Sequence, residues 1–226
     1  YILAAVAVVA AALFSRSTTL RYEKVECSIA MRDSVHLHTA IYKPRWGKNH
    51  PILVMRTPYS CAPYGDDFLD YLNENYLYRN YLRRGYILVF QDVRGRFMSE
   101  GEFENLRPAL GTTNEATDAY DTVDWLVGNI EGNNGRVGFY GCSYPGFYAT
   151  YAALCNHPAV KAVSPQAPVT DWYMGDDVHH NGVMMLADSF NLMPMFSHTN
   201  HTPTTEWLPP LEHDDSPDQY TYFLNA

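Results

Sequence analysis

A serine between two glycines marks the part of this sequence best suited to chemistry. Gly141-Cys142-Ser143-Tyr144-Pro145-Gly146 lies between an apolar run that predicts a strand and a stretch that predicts a helix. On such a turn the serine side chain projects above the carboxyl edge of a sheet, where it can act as a nucleophile. The N–H groups at the start of the helix suit a developing oxyanion, and the N–H of Tyr144 is the natural first donor. The second glycine stands one residue later than in the common G-x-S-x-G elbow, so an ordinary strand–helix turn remains the alternative.

The segments around this turn alternate between short apolar runs and longer stretches with helical spacing. Helices are predicted at Phe68–Leu82, Thr117–Asn129 and Phe147–Leu154. Strands are predicted at Val25–Ile29, Val35–Tyr42, Ile52–Met55, Tyr86–Phe90, Arg136–Tyr140 and Val160–Val163. This alternation predicts the α/β class with a mostly parallel sheet, whose strands are expected to be buried on both faces. After Asp171 no strand is evident, and we interpret the remainder as a second, looser segment.

Composition limits the class of partner. The chain has 226 residues, with 16 Lys and Arg against 25 Asp and Glu and a formal net charge of −9. A nucleic-acid partner is not expected, because there is no basic surplus to meet its phosphates. A cationic or amine-bearing substrate is compatible with this charge. No metal or other cofactor is expected, since the cysteines follow no metal-ligand spacing, and we interpret them as buried free thiols: Cys27, Cys61, Cys142 and Cys155.

The first residues differ from the rest of the chain. Tyr1–Phe14 is almost entirely apolar and rich in alanine, and Ser15-Arg16-Ser17 follows it. This pattern resembles the apolar region of a secretory signal peptide, and export would permit disulfides. No stable membrane span is expected, because a span needs roughly 20 apolar residues. The alternatives to a signal peptide are an uncleaved anchor and a buried helix. We therefore predict an exported protein with a signal-like segment over 1–20, an α/β core over 21–171 and a further region over 172–226.

Several motifs occur in a fixed order along the chain. They are Met31-Arg32-Asp33, Arg56-Thr57-Pro58-Tyr59, Gln91 to Gly95 with Ser99-Glu100-Gly101, Asp118 to Leu126, the Ser143 turn in its G-x-S-Y-x-G form, and Met174 to Asp177. With these motifs the stretch from about Val25 to His180 resembles the cocaine esterase / X-prolyl dipeptidyl-peptidase-like serine hydrolases. It is most similar to their α-amino acid ester hydrolase branch. The resemblance implies an α/β-hydrolase fold, of which this chain would hold the N-terminal part of the sheet and, over 172–226, the start of a helical cap.

The resemblance also implies roles for individual residues. Ser143 would attack the substrate carbonyl, and the backbone N–H of Tyr144 and the phenol of Tyr59 would form the oxyanion hole. Asp177 matches one acid of the cluster that binds the substrate's α-ammonium group in the ester hydrolase branch. Without the resemblance, Tyr59 is an aromatic residue lining the core, and Asp176-Asp177 is a solvated helix start.

Other charged residues of the motifs are interpreted as structural. We expect Asp92 and Arg94 to form an ion pair that holds the loop beneath the site. The acids over Asp118–Asp124 are expected to serve the helix dipole and the solvent. His179 and His180 either line the junction of core and cap or are ordinary surface residues.

The remaining catalytic groups are expected elsewhere. In this fold the acid and the histidine follow the nucleophile in chain order, and the resemblance places them beyond residue 226. Asp188 with His198, His201 or His213 is a poor substitute, since these residues fall in the cap region. Three hypotheses follow: an esterase or amidase that acts by acyl transfer, for example on α-amino acid esters; an X-prolyl dipeptidyl-peptidase; or a chain that is catalytically silent by itself. The expected partner is a small ester, amide or short peptide, and assembly into a homo-oligomer is left open.

Overall fold

A six-stranded sheet organises the described part of the chain. The computed structural model describes residues 18–65, 72, 75–171, 174–175, 177–186, 189, 192–196 and 199–207. The strands of the sheet are β1 (Tyr22–Ala30), β2 (His36–Pro44), β3 (His50–Thr57), β4 (Ile87–Asp92), β5 (Asn133–Cys142) and β6 (Val160–Gln166). They lie in the order β1-β2-β4-β3-β5-β6. The first two pairings are antiparallel and the other three are parallel, which confirms the predicted α/β class with a mostly parallel sheet.

Helices cover parts of the sheet. They are α1 (Thr18–Arg21), α2 (Tyr76–Arg83), α3 (Glu115–Asn129) and α4 (Tyr144–Leu154), and a 3₁₀ turn follows at Met193–Phe196. The prediction of one continuous helix over Phe68–Leu82 was wrong. Asn75 has an extended backbone with φ −83° and ψ 117°, and its side chain accepts a hydrogen bond from the N–H of Leu77. Asn75 therefore starts a new helix, while residues 66–71, 73 and 74 lie outside the described residues.

The two long helices begin earlier than their apolar spacing indicated. The side chain of Asn114 accepts hydrogen bonds from the N–H groups of Ala116 and Thr117 and completes a capping box, so α3 starts at Glu115. Its apolar face, which includes Val123 and Leu126, is fully buried in the main core of the sheet. Helix α4 starts directly after Ser143, with Pro145 in its first turn, where a missing N–H costs no helical hydrogen bond.

Two expectations about strands were wrong. β6 pairs with β5 at the edge of the described sheet, and its side chains are half-buried or exposed, so it is not buried on both faces. After Asp171 a short antiparallel ladder joins β7 (His179–His180) to β8 (Val183–Met184). Strands of two residues are too short to produce a visible period of alternation in the sequence.

The sheet order brings distant loops together. β3 lies between β4 and β5, and Thr57 at its end is directly opposite Asp92 at the end of β4. The loop after β3, residues 58–65, therefore lies beside both the turn after β4 and the turn that carries Ser143. Among the described residues, no helix combines the length and the apolar character needed to cross a bilayer. Residues 1–17, most of the predicted signal-like segment, lie outside the described residues.

Candidate active site

Ser143 occupies a strained backbone position between β5 and α4. Its φ of 63° and ψ of −124° fall in a region that residues with a side chain seldom adopt. The N–H of Ser143 donates to the carbonyl of Gln166 over 2.9 Å, and its own carbonyl accepts from the N–H of Phe147 over 3.1 Å. The serine is thus fixed from one side by β6 and from the other by the first turn of α4. This is the geometry of a nucleophile elbow.

The two flanking glycines explain the spacing of the motif. A Cβ atom at Gly141 would lie 2.2 Å from the carbonyl oxygen of Pro145, and one at Gly146 would lie 2.8 Å from that of Gln166. Both clashes involve backbone atoms, so neither could be relieved by a change of rotamer. The second glycine falls at residue 146, where α4 lies against the end of β6 and leaves no room for a Cβ atom. The wider spacing of the glycines is therefore compatible with a tight elbow.

Tyr59 meets Ser143 across the carboxyl edge of the sheet. Its phenol lies close enough to the Ser143 side chain for the serine to act on its pKa. Burial raises the pKa of Tyr59, and the Ser143 side chain acts against that rise. The phenol therefore keeps its proton at neutral pH and remains able to donate it in a hydrogen bond. The ring packs edge-on against Tyr144, with centroids 6.2 Å apart, and against Phe196, with centroids 5.7 Å apart.

Tyr144 is held firmly at the start of α4. As the first helical residue it carries one of the N–H groups that have no acceptor within the helix. Its hydroxyl donates to Oδ1 of Asn105 and accepts from the N–H of Leu106, both over 2.7 Å. Its ring stacks on that of Tyr148, with centroids 5.3 Å apart. The structure therefore places Ser143, Tyr144 and Tyr59 at the same edge of the sheet.

Asp177 lies within electrostatic range of this group. Its side chain is exposed, and its charge contributes to the raised pKa of Tyr59. A carboxylate beside the phenol makes this end of the site attractive to a cation. Asp176 lies outside the described residues, as do Asp188, His198 and His213. Of the histidines named in the sequence analysis, His179 is half-buried, whereas His180 and His201 are exposed.

The predicted ion pair between Asp92 and Arg94 was wrong. The buried carboxylate of Asp92 accepts hydrogen bonds from the Cys61 N–H, the Tyr64 hydroxyl and the Met98 N–H, over 2.7, 2.9 and 3.3 Å. Arg94 instead contacts other carboxylates. The strand ends at Asp92 and the chain turns, so side chains two positions apart no longer point to the same face.

Asp118 was expected to face solvent, and this was also wrong. Its carboxylate is fully buried and lies 2.6 Å from Nη2 of Arg94 and 3.5 Å from Nη2 of Arg56. Glu115 lies 2.9 Å from Nη1 of Arg56. The Arg56 guanidinium also packs 5.6 Å from the ring centre of Tyr148. The start of α3 therefore packs on buried guanidinium groups beneath α4. Arg56, which directly follows the apolar residues of β3, was the signal for a buried acid, because a buried cation needs a paired carboxylate.

The predictions for the other acids of α3 and for the cysteines were each right only in part. Asp121 pairs with Arg32 over 2.8 Å, while the side chain of Asp124 is 75% exposed. All four cysteines are free, but only Cys61 and Cys155 are buried. Cys142 is exposed because it ends β5 on the face opposite the buried positions of that strand.

Comparisons with known proteins point to the family indicated by the sequence motifs. Residues 33–215 match the family described as X-Pro dipeptidyl-peptidase (S15 family). The chain is 32% identical to the cocaine esterase of Rhodococcus sp. over 151 residues, which are 64% of this chain and 23% of that protein. A solved α-amino acid ester hydrolase is similar at a TM-score of 0.71 and 36% identity, over 91% of this chain and 34% of that one. An aminopeptidase from a marine sediment archaeon, Thaumarchaeota archaeon, gives a TM-score of 0.70 and 33% identity over 86% and 33%.

These matches cover most of this chain but a smaller part of each relative. The chain spans about a third of the length of the two solved structures and less than a quarter of the cocaine esterase. The family match includes the turn with Ser143, the loop with Tyr59 and the segment with Asp177. The order of motifs, the sheet and the family match agree, and the chain belongs to the X-Pro dipeptidyl-peptidase (S15) family.

Proposed function

We propose that the complete protein is a serine hydrolase that transfers acyl groups from ester or amide bonds to water. The observation that carries this proposal is a serine held on a strained elbow at the start of α4, with the Tyr59 phenol near it. Ser143 attacks the substrate carbonyl and forms a tetrahedral intermediate. The negative oxygen of that intermediate accepts hydrogen bonds from the Tyr59 phenol and the Tyr144 N–H. Loss of the leaving group gives an acyl-enzyme, which water then hydrolyses.

Proton transfer in this reaction needs a general base. We assign that role to a histidine oriented by an acid, both in the remainder of the complete protein, following the chain order of this fold. The histidine takes the proton from Ser143 and gives it to the leaving group. It then takes a proton from the attacking water in the second half of the reaction. The chain by itself is then catalytically silent.

The substrate class proposed first is the α-amino acid esters. Two observations support it: the negative charge of Asp177 acts on Tyr59, and the chain as a whole has a net charge of −9. A carboxylate pairs with an α-ammonium group through charge-assisted hydrogen bonds. The second candidate is an X-prolyl dipeptidyl-peptidase, which the family description and a 31% identical stretch of 94 residues in the Xaa-Pro dipeptidyl-peptidase of Lactiplantibacillus plantarum favour. For either substrate we propose that the protein acts after export.

Labelling and a substrate panel test these proposals. A fluorophosphonate probe is expected to label the complete protein, but neither its Ser143→Ala variant nor the chain of residues 1–226 alone. The panel contains α-amino acid esters, the same esters with an acetylated amine, and X-Pro amides. We expect the free-amine esters to be hydrolysed fastest. Asp177→Asn is expected to slow the hydrolysis of the free-amine esters and to leave that of the acetylated esters unchanged. Preference for the X-Pro amides would support the second candidate, and absence of labelling would refute the serine mechanism.

A further inference from the structure

The loop that carries Tyr59 contains an unfavourable backbone conformation. Ser60, the next residue, has a φ of 86°, in the left-handed region that favours glycine. Such a conformation persists only where surrounding contacts determine it, and it clusters at functional sites. The Ser60 hydroxyl accepts a hydrogen bond from the Ala62 N–H over 3.0 Å and lies 2.9 Å from the Tyr64 hydroxyl. The strain beside Tyr59 is therefore maintained by a side-chain network.

That network ends at the buried carboxylate of Asp92. The Tyr64 hydroxyl donates its single proton to Oδ2 of Asp92, so the Ser60 hydroxyl is the donor toward Tyr64. Oδ1 of Asp92 accepts from the Cys61 N–H over 2.7 Å. Asp92 reaches this loop because Thr57, where β3 ends, is its neighbour in the sheet. One carboxylate thus fixes both residues that directly follow Tyr59, one through its backbone and the other through Tyr64.

The outer parts of loop 58–65 have separate attachments. The Lys24 ammonium donates to the carbonyl oxygens of Pro63 and Gly65, and Nε of Arg96 donates to the carbonyl oxygen of Pro58 over 3.2 Å. These contacts hold the two ends of the loop. Tyr59 lies next to the Pro58 end, where its N–H donates to Oγ1 of Thr57 over 3.0 Å, and the residues that directly follow it depend on Asp92 and Tyr64.

We propose that Asp92, acting through Tyr64 and the Cys61 N–H, is a positioning residue that directs the Tyr59 phenol at Ser143. The inference rests on the proposed function, since positioning matters to catalysis only if the phenol stabilises an oxyanion. An amide at residue 92 cannot replace the carboxylate. Its one oxygen could still accept from Cys61, but its NH₂ would face the Met98 N–H and the Tyr64 hydroxyl that now donate to Oδ2.

A double-mutant cycle in the complete protein tests this inference. Tyr64→Phe is expected to lower kcat on the best ester by about tenfold, while KM changes little, because a misdirected donor affects the transition state more than substrate binding. In a Tyr59→Phe background the same change is expected to have almost no effect, since the group that it positions is already absent. Asp92→Asn is expected to behave like Tyr64→Phe. The matched control is Tyr22→Phe, which removes a buried hydroxyl bonded to the carbonyls of Leu82 and Tyr86.

Hydrogen exchange of the amides in loop 58–65 gives a readout that does not depend on activity. Faster exchange is expected in the Tyr64→Phe and Asp92→Asn proteins but not in the Tyr22→Phe protein. Equal exchange in all of them would refute the anchoring of the loop. Equal losses of kcat in both backgrounds would show a general structural effect and would overturn the positioning role. If the unmodified protein neither labels nor hydrolyses esters, the proposed function fails, and the exchange data alone decide whether Asp92 anchors the loop.

Discussion

Replacing Asp92 by asparagine should change how the stability of the protein depends on pH. Burial raises the pKa of Asp92 from 3.8 to about 6, although its hydrogen bonds oppose the rise. In the pH range between these values the folded state binds this proton more tightly than the unfolded state does. The contribution of Asp92 to stability is therefore fully present below about pH 4 and is lost as the pH rises through about 6. A difference of about 2 pKa units corresponds to about 3 kcal/mol.

Urea unfolding at several pH values from 4 to 7, followed by tryptophan fluorescence, measures this effect. The free energy of unfolding of Asp92→Asn minus that of the unmodified protein is expected to rise by about 2.5 kcal/mol over this range, because part of the change already occurs below pH 4. The difference cancels groups common to both proteins, including Glu115, whose pKa burial also raises. Glu100→Gln serves as a control: its free energy of unfolding minus that of the unmodified protein should fall as the pH rises. The reason is that hydrogen bonds from His36 lower the pKa of the exposed Glu100. A difference that stays constant from pH 4 to 7 would refute the reasoning about Asp92.

Three further substitutions, two of them with a matched control, test the site and its support. Tyr59→Phe is expected to lower kcat about 10²- to 10³-fold with little change in KM, and an unchanged kcat would remove the phenol from the mechanism. Gly141→Ala should abolish fluorophosphonate labelling, because its Cβ would lie 2.2 Å from the backbone of α4. Gly138→Ala in the same strand should keep labelling, since its nearest contact would be 3.5 Å. Asp118→Asn removes one of the two carboxylates that pair with each of Arg56 and Arg94, and should cost about 3 kcal/mol in urea unfolding. Asp121→Asn breaks an exposed pair and should cost no more than about 1 kcal/mol.

The fold was largely predictable because its strands are short apolar runs separated by clear turn residues. The sequence located every strand of the main sheet, but it placed most of their ends too close to the apolar centre. β5, for example, begins at Asn133, three residues before the first predicted position. Polar residues at strand ends continue the backbone hydrogen bonds of their neighbours, and the alternation of side chains carries no sign of this pairing.

The site was predictable only in part. Ser143 was visible locally because both of its flanking glycines are required by close backbone approaches. Tyr59 was identified through the family resemblance, since its position depends on a strand order that spacing does not reveal. Asp92 and Asp118 were assigned wrongly because their partners, Tyr64 and Arg94, come from other segments of the chain. Long-range pairs of this kind leave no periodic signal.

The central place of β3 has a consequence for how reactivity appears during folding. β3 precedes both strands that flank it, so it pairs fully only after β4 and β5 have been made and added on either side. The phenol of Tyr59 can meet Ser143 only at that stage. A chain with native-like helices but a misplaced third strand would look folded by circular dichroism and still fail to react with a fluorophosphonate probe. Probe capture by the complete protein therefore reports whether that strand has been correctly inserted.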